Sequence, residues 1–484
     1  MKVFLSMLLI GCISLYSCTN YMDSPNAGNE NGPSAIENAP NIEFTIDELE
    51  WTKDMGMMVL QSESAIDATM DTIIFHGSNQ ERYVLPSVSK NDTVPSGMQW
   101  NTNRSQYIFA YSNNTGSGVY IFHTGKRKIE AKIWSSNLQT SYSNPFFGAD
   151  DTQILFVQNS LQHSELGILD LASGNTSFVP LEDEKEIQNI QLDKSNENVY
   201  ILTKSYLKVV QLSADLATRD ILLEGEMMTY SYSPSLQYLA IVSSTNHGNA
   251  LFLLRIDEEN LREIKTLSTQ YIPSPSWSPG EEYISFHDTS KALDDIFLYS
   301  ILDLSLQNIT QTSHEKDLVY STTNPWNEDG RYLAFTTYNG DTWATRRMGL
   351  YDAFEKRILH VSSFEDQNLF LEWGKKDIFS FQTGHSHGVV NIGIQSIDSK
   401  TRIVLTSFMH NDEGKFLSHA WSPDGTWFGY VYDDNHSMLS LRIFNVEDKT
   451  CREYPIPIKT SNPISMQWYL DEPFLDVSKV INTK

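Results

Sequence analysis

The chain has 484 residues, of which 61 are acidic and 35 basic, and its formal net charge is −26. A phosphate backbone or an anionic membrane is bound through clustered Lys and Arg, so this charge excludes nucleic acid and anionic headgroups as the main partner. Aromatic residues make up 12% of the chain, which is too much apolar side chain for a disordered protein and predicts a large packed core.

The N-terminus has the features of a secretory signal for lipid attachment. Lys2 precedes an apolar run that ends near Cys18, and this run is too short for a permanent membrane-spanning helix. Residues 15–18 (Leu-Tyr-Ser-Cys) resemble a bacterial lipobox, in which the cysteine is lipidated and becomes the new N-terminus. We therefore expect a signal peptide over residues 1–17 and lipidation of Cys18. Lipidation of Cys12 and cleavage without a lipid are the alternatives.

A polar stretch separates this signal from the folded body. Residues 18–41 begin with the lipidated cysteine and are rich in Asn, Ser, Gly, Pro and acidic residues, which is typical of a flexible tether. The folded body is expected over residues 42–484. Cys451 would be the single unmodified thiol of the mature chain, so its stability must come from packing and not from an internal disulfide. These features predict a lipid-anchored protein of the bacterial envelope, on the periplasmic or surface side of the outer membrane.

A sequence repeat extends through the folded body. Its clearest copies are residues 277–280 (Trp-Ser-Pro-Gly), 326–330 (Trp-Asn-Glu-Asp-Gly) and 421–425 (Trp-Ser-Pro-Asp-Gly). Each is an aromatic anchor, a polar turn and then an alternating apolar strand. Pro presets φ in such a turn, Ser and Asp oxygens accept from nearby backbone N–H groups, and Gly takes the positive φ that other residues avoid. With weaker copies included, successive anchors lie 40 to 49 residues apart.

A unit of this length holds four short strands, which is the size of a propeller blade. No comparable stretch shows a sustained helical period, so an all-β body is expected. The turns after Trp resemble the WD-repeat-like repeats of TolB and of the propeller domains of prolyl oligopeptidase and dipeptidyl peptidase relatives. We therefore predict a single β-propeller of four-stranded blades, with the anchors packed between blades. No hydrolase domain is expected after the repeats, which argues against a peptidase.

The number of blades depends on how the two ends of the body are counted. The repeat holds eight complete units. Residues 98–100 (Met-Gln-Trp) recur at 466–468, so the stretch through 474–477 is interpreted as the first two strands of a further unit. Residues 72–75 and 82–85 are interpreted as the last two strands of a unit. Eight blades are favoured, with the extra segments packed at the seam, and seven or nine remain open.

Function is expected on the face that carries the connections between the second and third strands of each blade. Histidines are concentrated in these connections, and connecting segments often carry binding residues. The candidate ligand-face residues are His247, His287, His385, His387, His436, Gln382, Trp343, Arg346 and Arg347.

The sharpest local motif is Gln382-x-x-His385-x-His387. Two imidazoles at i and i+2 of an extended segment point the same way, and with a Gln oxygen they suit a borderline divalent metal. The spacing is similar to the metal motif of the oligogalacturonate lyases, which are also propellers. That resemblance implies Mn²⁺ that binds a uronate carboxylate and lowers the pKa of its α-proton for β-elimination. The other interpretation is that these are solvated loop histidines.

Further roles follow from the same resemblance. It implies His287 or His436 as a fourth ligand and Arg346 or Arg347 as carboxylate binder or base. The lyase motif continues directly into a blade's Trp and turn, whereas here it follows a second strand. His419 lies two residues before Trp421, where the lyase motif would place a histidine, but no second histidine accompanies it.

Two other local patterns suggest ligand binding. Two acidic groups offer ligands for a cation such as Ca²⁺, namely His287-Asp288 with Asp294-Asp295, and Asp433-Asp434 beside His436, although acidic loops are more often only solvated. Trp343, among Thr342, Arg346 and Arg347, offers a site that can stack on a sugar ring or hold an anionic group.

Three functions remain open. The favoured one is a non-catalytic propeller whose loop face binds a glycan, a peptide or an envelope protein. The alternatives are a metal-dependent polysaccharide (uronate) lyase and a TolB-like assembly component that acts through protein contacts. No catalytic residue is assigned. No cofactor is expected, unless a divalent metal binds at Gln382, His385 and His387, and membrane contact is expected through the N-terminal lipid alone.

Overall fold

The fold is described from a computed structural model. It covers residues 45–48, 57–63, 69–76, 81–89, 99–102, 105–161, 163–181, 187–212, 216–268, 274–290, 293–311, 315–318, 324–339, 346–362, 368–384, 390–406, 415–433, 439–456 and 464–469. The expected signal peptide, Cys18 and the tether lie outside these residues.

Alternating apolar residues place the described chain in 37 strands, which form nine antiparallel sheets. Sheets are numbered in chain order. Sheet 1 contains β1 (Thr45–Glu48), β2 (Met57–Glu63), β3 (Thr69–His76), β4 (Glu81–Ser89) and the last strand, β37 (Ile464–Tyr469). Sheet 2 contains β5 (Gln99–Trp100), β6 (Gln106–Asn113), β7 (Gly116–His123) and β8 (Lys128–Ser135). Sheet 3 contains β9 (Ser141–Phe147), β10 (Gln153–Asn159), β11 (Ser164–Asp170) and β12 (Thr176–Leu181).

The next three sheets repeat this order. Sheet 4 contains β13 (Asn189–Leu192), β14 (Asn198–Leu202), β15 (Tyr206–Gln211) and β16 (Thr218–Leu222). Sheet 5 contains β17 (Glu226–Tyr232), β18 (Tyr238–Thr245), β19 (Gly248–Arg255) and β20 (Asn260–Thr266). Sheet 6 contains β21 (Ser276–Trp277), β22 (Tyr283–Ser290), β23 (Leu293–Ser300) and β24 (Ser305–Asn308).

The last three sheets have the same order. Sheet 7 contains β25 (Glu315–Leu318), β26 (Tyr332–Asn339), β27 (Arg346–Asp352) and β28 (Arg357–His360). Sheet 8 contains β29 (Asn368–Trp373), β30 (Ile378–Gly384), β31 (Val390–Ser396) and β32 (Arg402–Val404). Sheet 9 contains β33 (Lys415–Trp421), β34 (Trp427–Asp433), β35 (Leu439–Asn445) and β36 (Cys451–Ile456). Among the described residues the helical structure is one 3-10 turn, Ala149–Asp151.

Sheet 1 joins the two ends of the described chain. Its strand order is β1-β4-β3-β2-β37, and β37 pairs antiparallel with β2 from Met57 opposite Tyr469 to Ser62 opposite Ile464. Residues 466–468 lie in the first strand of this sheet, as expected. Residues 72–75 and 82–85 lie in its third and fourth strands, and β1 adds a fifth strand outside them. The second strand of this sheet is β2 and not the expected segment 474–477, which lies outside the described residues.

The core lies between successive sheets. Nine apolar clusters are present in the described residues, and each joins one sheet to the next. One cluster packs Phe75 of sheet 1 with Val431 of sheet 9, and another packs Tyr83 of sheet 1 with Phe122 of sheet 2. The nine sheets therefore form a closed ring, as in a propeller of four-stranded blades. The described strands form nine sheets, one more than the eight blades favoured from the sequence.

The repeat anchors are buried in these clusters, as the sequence predicts. Trp277, Trp326, Trp373 and Trp421 are each at most 8% exposed. Their indole N–H groups donate to a strand of the preceding sheet or, for Trp373, to the carbonyl of Pro325 between the first two strands of that sheet. An example is the 3.1 Å bond from Trp326 Nε1 to Ser285 Oγ. The anchor therefore adds a directional hydrogen bond to the apolar contact between blades.

The predicted turns connect the first strand of a blade to the second. At residues 421–427, Ser422 Oγ accepts from the N–H of Trp427 at 2.9 Å, Asp424 Oδ1 accepts from the N–H of Thr426 at 3.0 Å, and Gly425 has a φ of 65°. A Cβ at Gly425 would lie 2.3 Å from the backbone nitrogen of Lys375 in the preceding turn, so this glycine is required by close packing as well as by φ.

Candidate functional site

The structure describes some of the residues that the sequence nominates for the ligand face. His385, His387, His436 and Trp343 lie outside the described residues. His247 is exposed between β18 and β19, whereas His287 is half-buried on β22. In each sheet, the second strand ends and the third begins at the end opposite to the turn between the first and second strands, as the sequence predicts.

The remaining ligand-face candidates lie at that same end of neighbouring sheets. Arg346 and Arg347 begin β27 of sheet 7 and are half-buried. Gln382 is half-buried near the end of β30 of sheet 8, opposite Leu369 and Ile392. His287 of sheet 6 and Gln382 have the whole of sheet 7 between them. A metal or ligand site on this face therefore stays a prediction.

Two of the aspartates that the sequence suggests as cation ligands are buried and bound to other side chains of the protein. Asp288 on β22 and Asp295 on β23 lie opposite each other and are 0% and 6% exposed. Asp288 forms an ion pair with Lys265, and Asp295 accepts from Asn308 Nδ2 at 2.8 Å. In the part of the chain that the structure describes, no group of three or more His, Cys, Asp or Glu residues is arranged to hold a metal ion.

His419 is largely buried beside a carboxylate of the neighbouring sheet. It lies on β33 with a 12% exposed side chain, and its Nε2 is 3.7 Å from Glu372 Oε2 on the first strand of sheet 8. Burial lowers the pKa of His419 to about 4, so the imidazole is neutral at neutral pH in spite of the nearby carboxylate.

Residues 384–388 read Gly-His-Ser-His-Gly, which matches the letters of the hydrolase nucleophile motif. That motif acts where a strand turns into a helix and exposes the serine. Residues 385–388 lie outside the described residues, but the strands on either side of them, β30 and β31, are an antiparallel pair from Gly384 opposite Val390. The described chain around the match therefore lacks the strand-to-helix context of that motif.

A cavity of about 680 Å³ lies at the other end of the ring, where first strands turn into second strands. First strands of neighbouring sheets contact each other, as β5 and β9 do, so they surround the central channel. The cavity is bounded by the first strands of sheets 2, 3 and 4 and by their turns, and we call it the channel-end cavity. Its lining residues are Gln99, Trp100, Thr102, Asn144, Pro145, Phe146, Phe147, Gly148, Asp150, Asp151, Gln188, Asn189, Ile190, Gln191, Leu192, Asp193, Lys194 and Asn196.

The turns around the cavity are fixed by their carboxylates. Asp151 of sheet 3 accepts from the backbone N–H and the hydroxyl of Thr102, at 3.0 and 3.1 Å, and thereby joins the turns of sheets 2 and 3. Asp193 of sheet 4 accepts from Asn198 Nδ2 at 2.7 Å and from the N–H of Glu197 at 2.9 Å. Burial alone would raise the pKa of Asp193, but hydrogen bonds, of which that from Asn198 is the strongest, lower it below its ordinary value.

Two amide side chains of β13 have buried polar atoms without a hydrogen-bond partner. Asn189 and Gln191 lie two residues apart, so they face the same side of the strand. The Oδ1 of Asn189 and the Nε2 of Gln191 have no hydrogen-bond partner among the described residues. Their strand partners Leu202 and Tyr200 pack toward sheet 5, so both side chains lie on the side of sheet 4 that faces away from sheet 3.

The opposite wall of the cavity contains a β-bulge. Asn144 and Pro145 of β9 together lie opposite Phe156 alone, and Asn144 has a φ of 49°. Bulges redirect side chains and often lie beside functional sites. Phe146, which follows the bulge, is half-buried and lines the cavity.

Comparisons with known proteins support the fold. No family model matches the chain, and no curated protein matches it. A solved eukaryotic initiation factor is 10% identical, with a TM-score of 0.56, over 85% of this chain and 98% of that chain. TolB from Acinetobacter baumannii is 13% identical (TM-score 0.33, 68% of this chain and 83% of that chain). An oligogalacturonate lyase from Vibrio parahaemolyticus is 10% identical (TM-score 0.39, 84% and 99%).

These similarities concern the fold alone, because the identities are so low. The nine sheets, together with the similarity to the initiation factor, confirm the all-β propeller fold that the Trp-Ser-Pro-Asp-Gly turns predict.

Proposed function

We propose that the protein is a lipid-anchored binding protein of the bacterial cell envelope that holds a ligand at the channel-end cavity without catalysis. The observation that carries the proposal is the cavity itself, which is large enough for a small ligand and is lined jointly by the first strands and turns of sheets 2, 3 and 4. The partner expected there is a glycan, or a peptide segment of an envelope protein.

The ionisable groups of the cavity favour binding over catalysis. Asp151 and Asp193 are each held by several hydrogen bonds from neighbouring turn residues. The lowered pKa of Asp193 keeps this carboxyl ionised at neutral pH, which makes it a poor general acid. These carboxylates are therefore proposed to shape the cavity and to set its charge.

The proposed anchor depends on the sequence of residues 1–41. The described residues contain no helix with the length and apolar character needed to cross a bilayer. With Cys18→Ser, we expect the protein to move from the detergent phase to the aqueous phase in Triton X-114 partition. A matched Cys451→Ser variant should stay in the detergent phase, and loss of anchoring in Cys12→Ser alone would contradict the assignment.

The proposed site is tested by blocking the cavity. The exposed Gln99 lines it and is replaced by Trp, and the exposed Gln307 on the outer strand of sheet 6 receives the same change as a control. Binding of neutral oligosaccharides, digalacturonate and short peptides is then measured by calorimetry. We expect Gln99→Trp to abolish the binding seen with the unaltered protein and Gln307→Trp to preserve it.

Two outcomes would contradict the proposal. Binding that survives Gln99→Trp but is lost in Gln382→Ala would move the site to the ligand face predicted from the sequence. Stoichiometric bound metal that is lost in His385→Ala, together with cleavage of oligogalacturonate, would instead favour the lyase.

A further inference from the structure

We propose that the outer edge of sheet 6 is an interface with a second copy of this chain, in which strand β24 of one copy pairs antiparallel with β24 of the other. This inference goes beyond the proposed function and does not depend on the channel-end cavity. It rests on three features of the edge, namely its lack of charge, its exposed leucines and its capacity to pair with an identical strand.

The outer edge of β24 carries no charge. β24 is the outermost strand of sheet 6, and among the described strands it pairs with β23 alone. Its sequence, Ser-Leu-Gln-Asn, contains no charged residue and no proline. Proteins usually protect an exposed sheet edge with charges or proline, because its outward N–H and C=O groups otherwise accept a further strand. The edge of β24 is therefore open to strand addition.

The other sheets of the ring have this protection. Among the described residues, the outermost strands of the eight other sheets each contain a charged residue or a proline, as β16 does with Arg219 and β12 with Pro180. The other strands of this group are β1, β8, β20, β28, β32 and β36. In sheet 1, moreover, β1 pairs antiparallel along the outer side of β4. The rim of this ring therefore accommodates a fifth strand.

Exposed leucines follow the same edge. Leu302, Leu304 and Leu306 are 88%, 50% and 39% exposed, and they lie in the turn before β24 and in β24 itself. Neighbouring apolar side chains that are exposed to this degree are typical of an interaction surface. A partner strand at β24 would cover these side chains while it pairs with the backbone.

The charge of the chain makes β24 the favourable place for a second copy. With a net charge of −26, two copies repel each other over most of their surfaces. If Ser305 pairs with itself across a two-fold axis, Leu304 of each copy lies opposite Leu306 of the other. The two Asp303 carboxylates are then about four positions apart along the strands, or roughly 14 Å, which exceeds the screening length of about 8 Å in physiological salt.

A covalent cross-link tests this contact. The starting protein is the mature chain with Cys18→Ser and Cys451→Ser, which keeps the folded body but carries neither a lipid nor a native thiol. Ser305→Cys in this protein should form a disulfide-linked dimer under mild oxidation, because opposite residues of an antiparallel pair lie within the distance that a disulfide spans. The matched control is Ser177→Cys, which is also exposed on an outermost strand, β12, and should stay monomeric.

Sedimentation velocity measures the association without a cross-link. The dimer fraction of the starting protein should rise with protein concentration. Leu306→Lys should weaken the association about tenfold or more, because each copy then places a cation at the shared edge. Val404→Lys is the control, since Val404 is 50% exposed on the outermost strand of sheet 8, and it should leave the association unchanged.

Three outcomes would overturn the inference. A protein that stays monomeric at every concentration and does not cross-link through Ser305→Cys would exclude a second copy, and a strand of a different protein would be the remaining occupant of this edge. A dimer that is insensitive to Leu306→Lys, or equal cross-linking of Ser177→Cys, would place the contact elsewhere. None of these outcomes affects the proposed binding at the channel-end cavity.

Discussion

Closure of the ring through sheet 1 can be tested by a single cross-link. Gln61 on β2 lies directly opposite Ser465 on β37, and opposite residues of an antiparallel pair have Cα atoms about 4.5 to 5.5 Å apart. That distance is within the range that a disulfide spans. In a Cys451→Ser background, the double variant Gln61→Cys/Ser465→Cys should therefore form an internal disulfide under mild oxidation.

The size of the stabilisation follows from the length of chain that the cross-link encloses. Positions 61 and 465 close a loop of about 400 residues, for which the chain-entropy relation gives an upper limit of about 6 kcal/mol. Engineered disulfides usually deliver less, about 2 to 4 kcal/mol. We expect the oxidised variant to unfold at a higher urea concentration than the same protein after reduction.

The assay is mass spectrometry of the unreduced protein, followed by urea titration with and without reductant. The control pair is Gln61→Cys/Ser399→Cys, because Ser399 is exposed in the turn between β31 and β32 of sheet 8. This pair should stay reduced. Failure of positions 61 and 465 to cross-link, or equal cross-linking of the control, would refute a ring closed by β2 and β37.

Two further predictions concern the repeat itself. Trp326→Phe and Ser285→Ala should each destabilise the protein by about 1 to 3 kcal/mol, because each leaves one partner of a buried hydrogen bond unsatisfied. The double variant should lose less than the sum, by about 1 kcal/mol in a double-mutant cycle, and strict additivity would contradict the bond. Burial would raise the pKa of Asp424, but hydrogen bonds from Ser422 and Thr426 lower it, so its stabilisation is complete above the unfolded pKa of about 3.9 and is lost as the pH falls. Asp424→Asn should therefore reduce the dependence of the urea midpoint on pH between 5 and 3, and an unchanged dependence would contradict this role.

The repeating part of the fold was predictable because its signals are local. Within residues 421–427 the anchor, the hydroxyl and carboxylate acceptors and the glycine with positive φ all act within a few residues of one another. Sheet 1 lacks that signal. Its first strand, β37, and its second, β2, come from opposite ends of the described chain, so no turn motif precedes β2 to mark it.

The channel-end cavity could not be predicted for a related reason. Its wall combines the turns of three separate units, and Thr102, Asp151 and Asp193 each look like ordinary turn residues when a unit is considered alone. The sequence signal that was available is the run of amide residues on the first strands of sheets 2 to 4.

The order of synthesis makes sheet 1 the last part of the ring to be completed. Sheets 2 to 9 can form as each hairpin emerges, whereas the edge of β2 must wait for β37, which is about 400 residues later. An uncovered strand edge is a template for aggregation. The newly made chain therefore depends on rapid delivery of its final strand, or on a chaperone that shields β2 until that strand arrives.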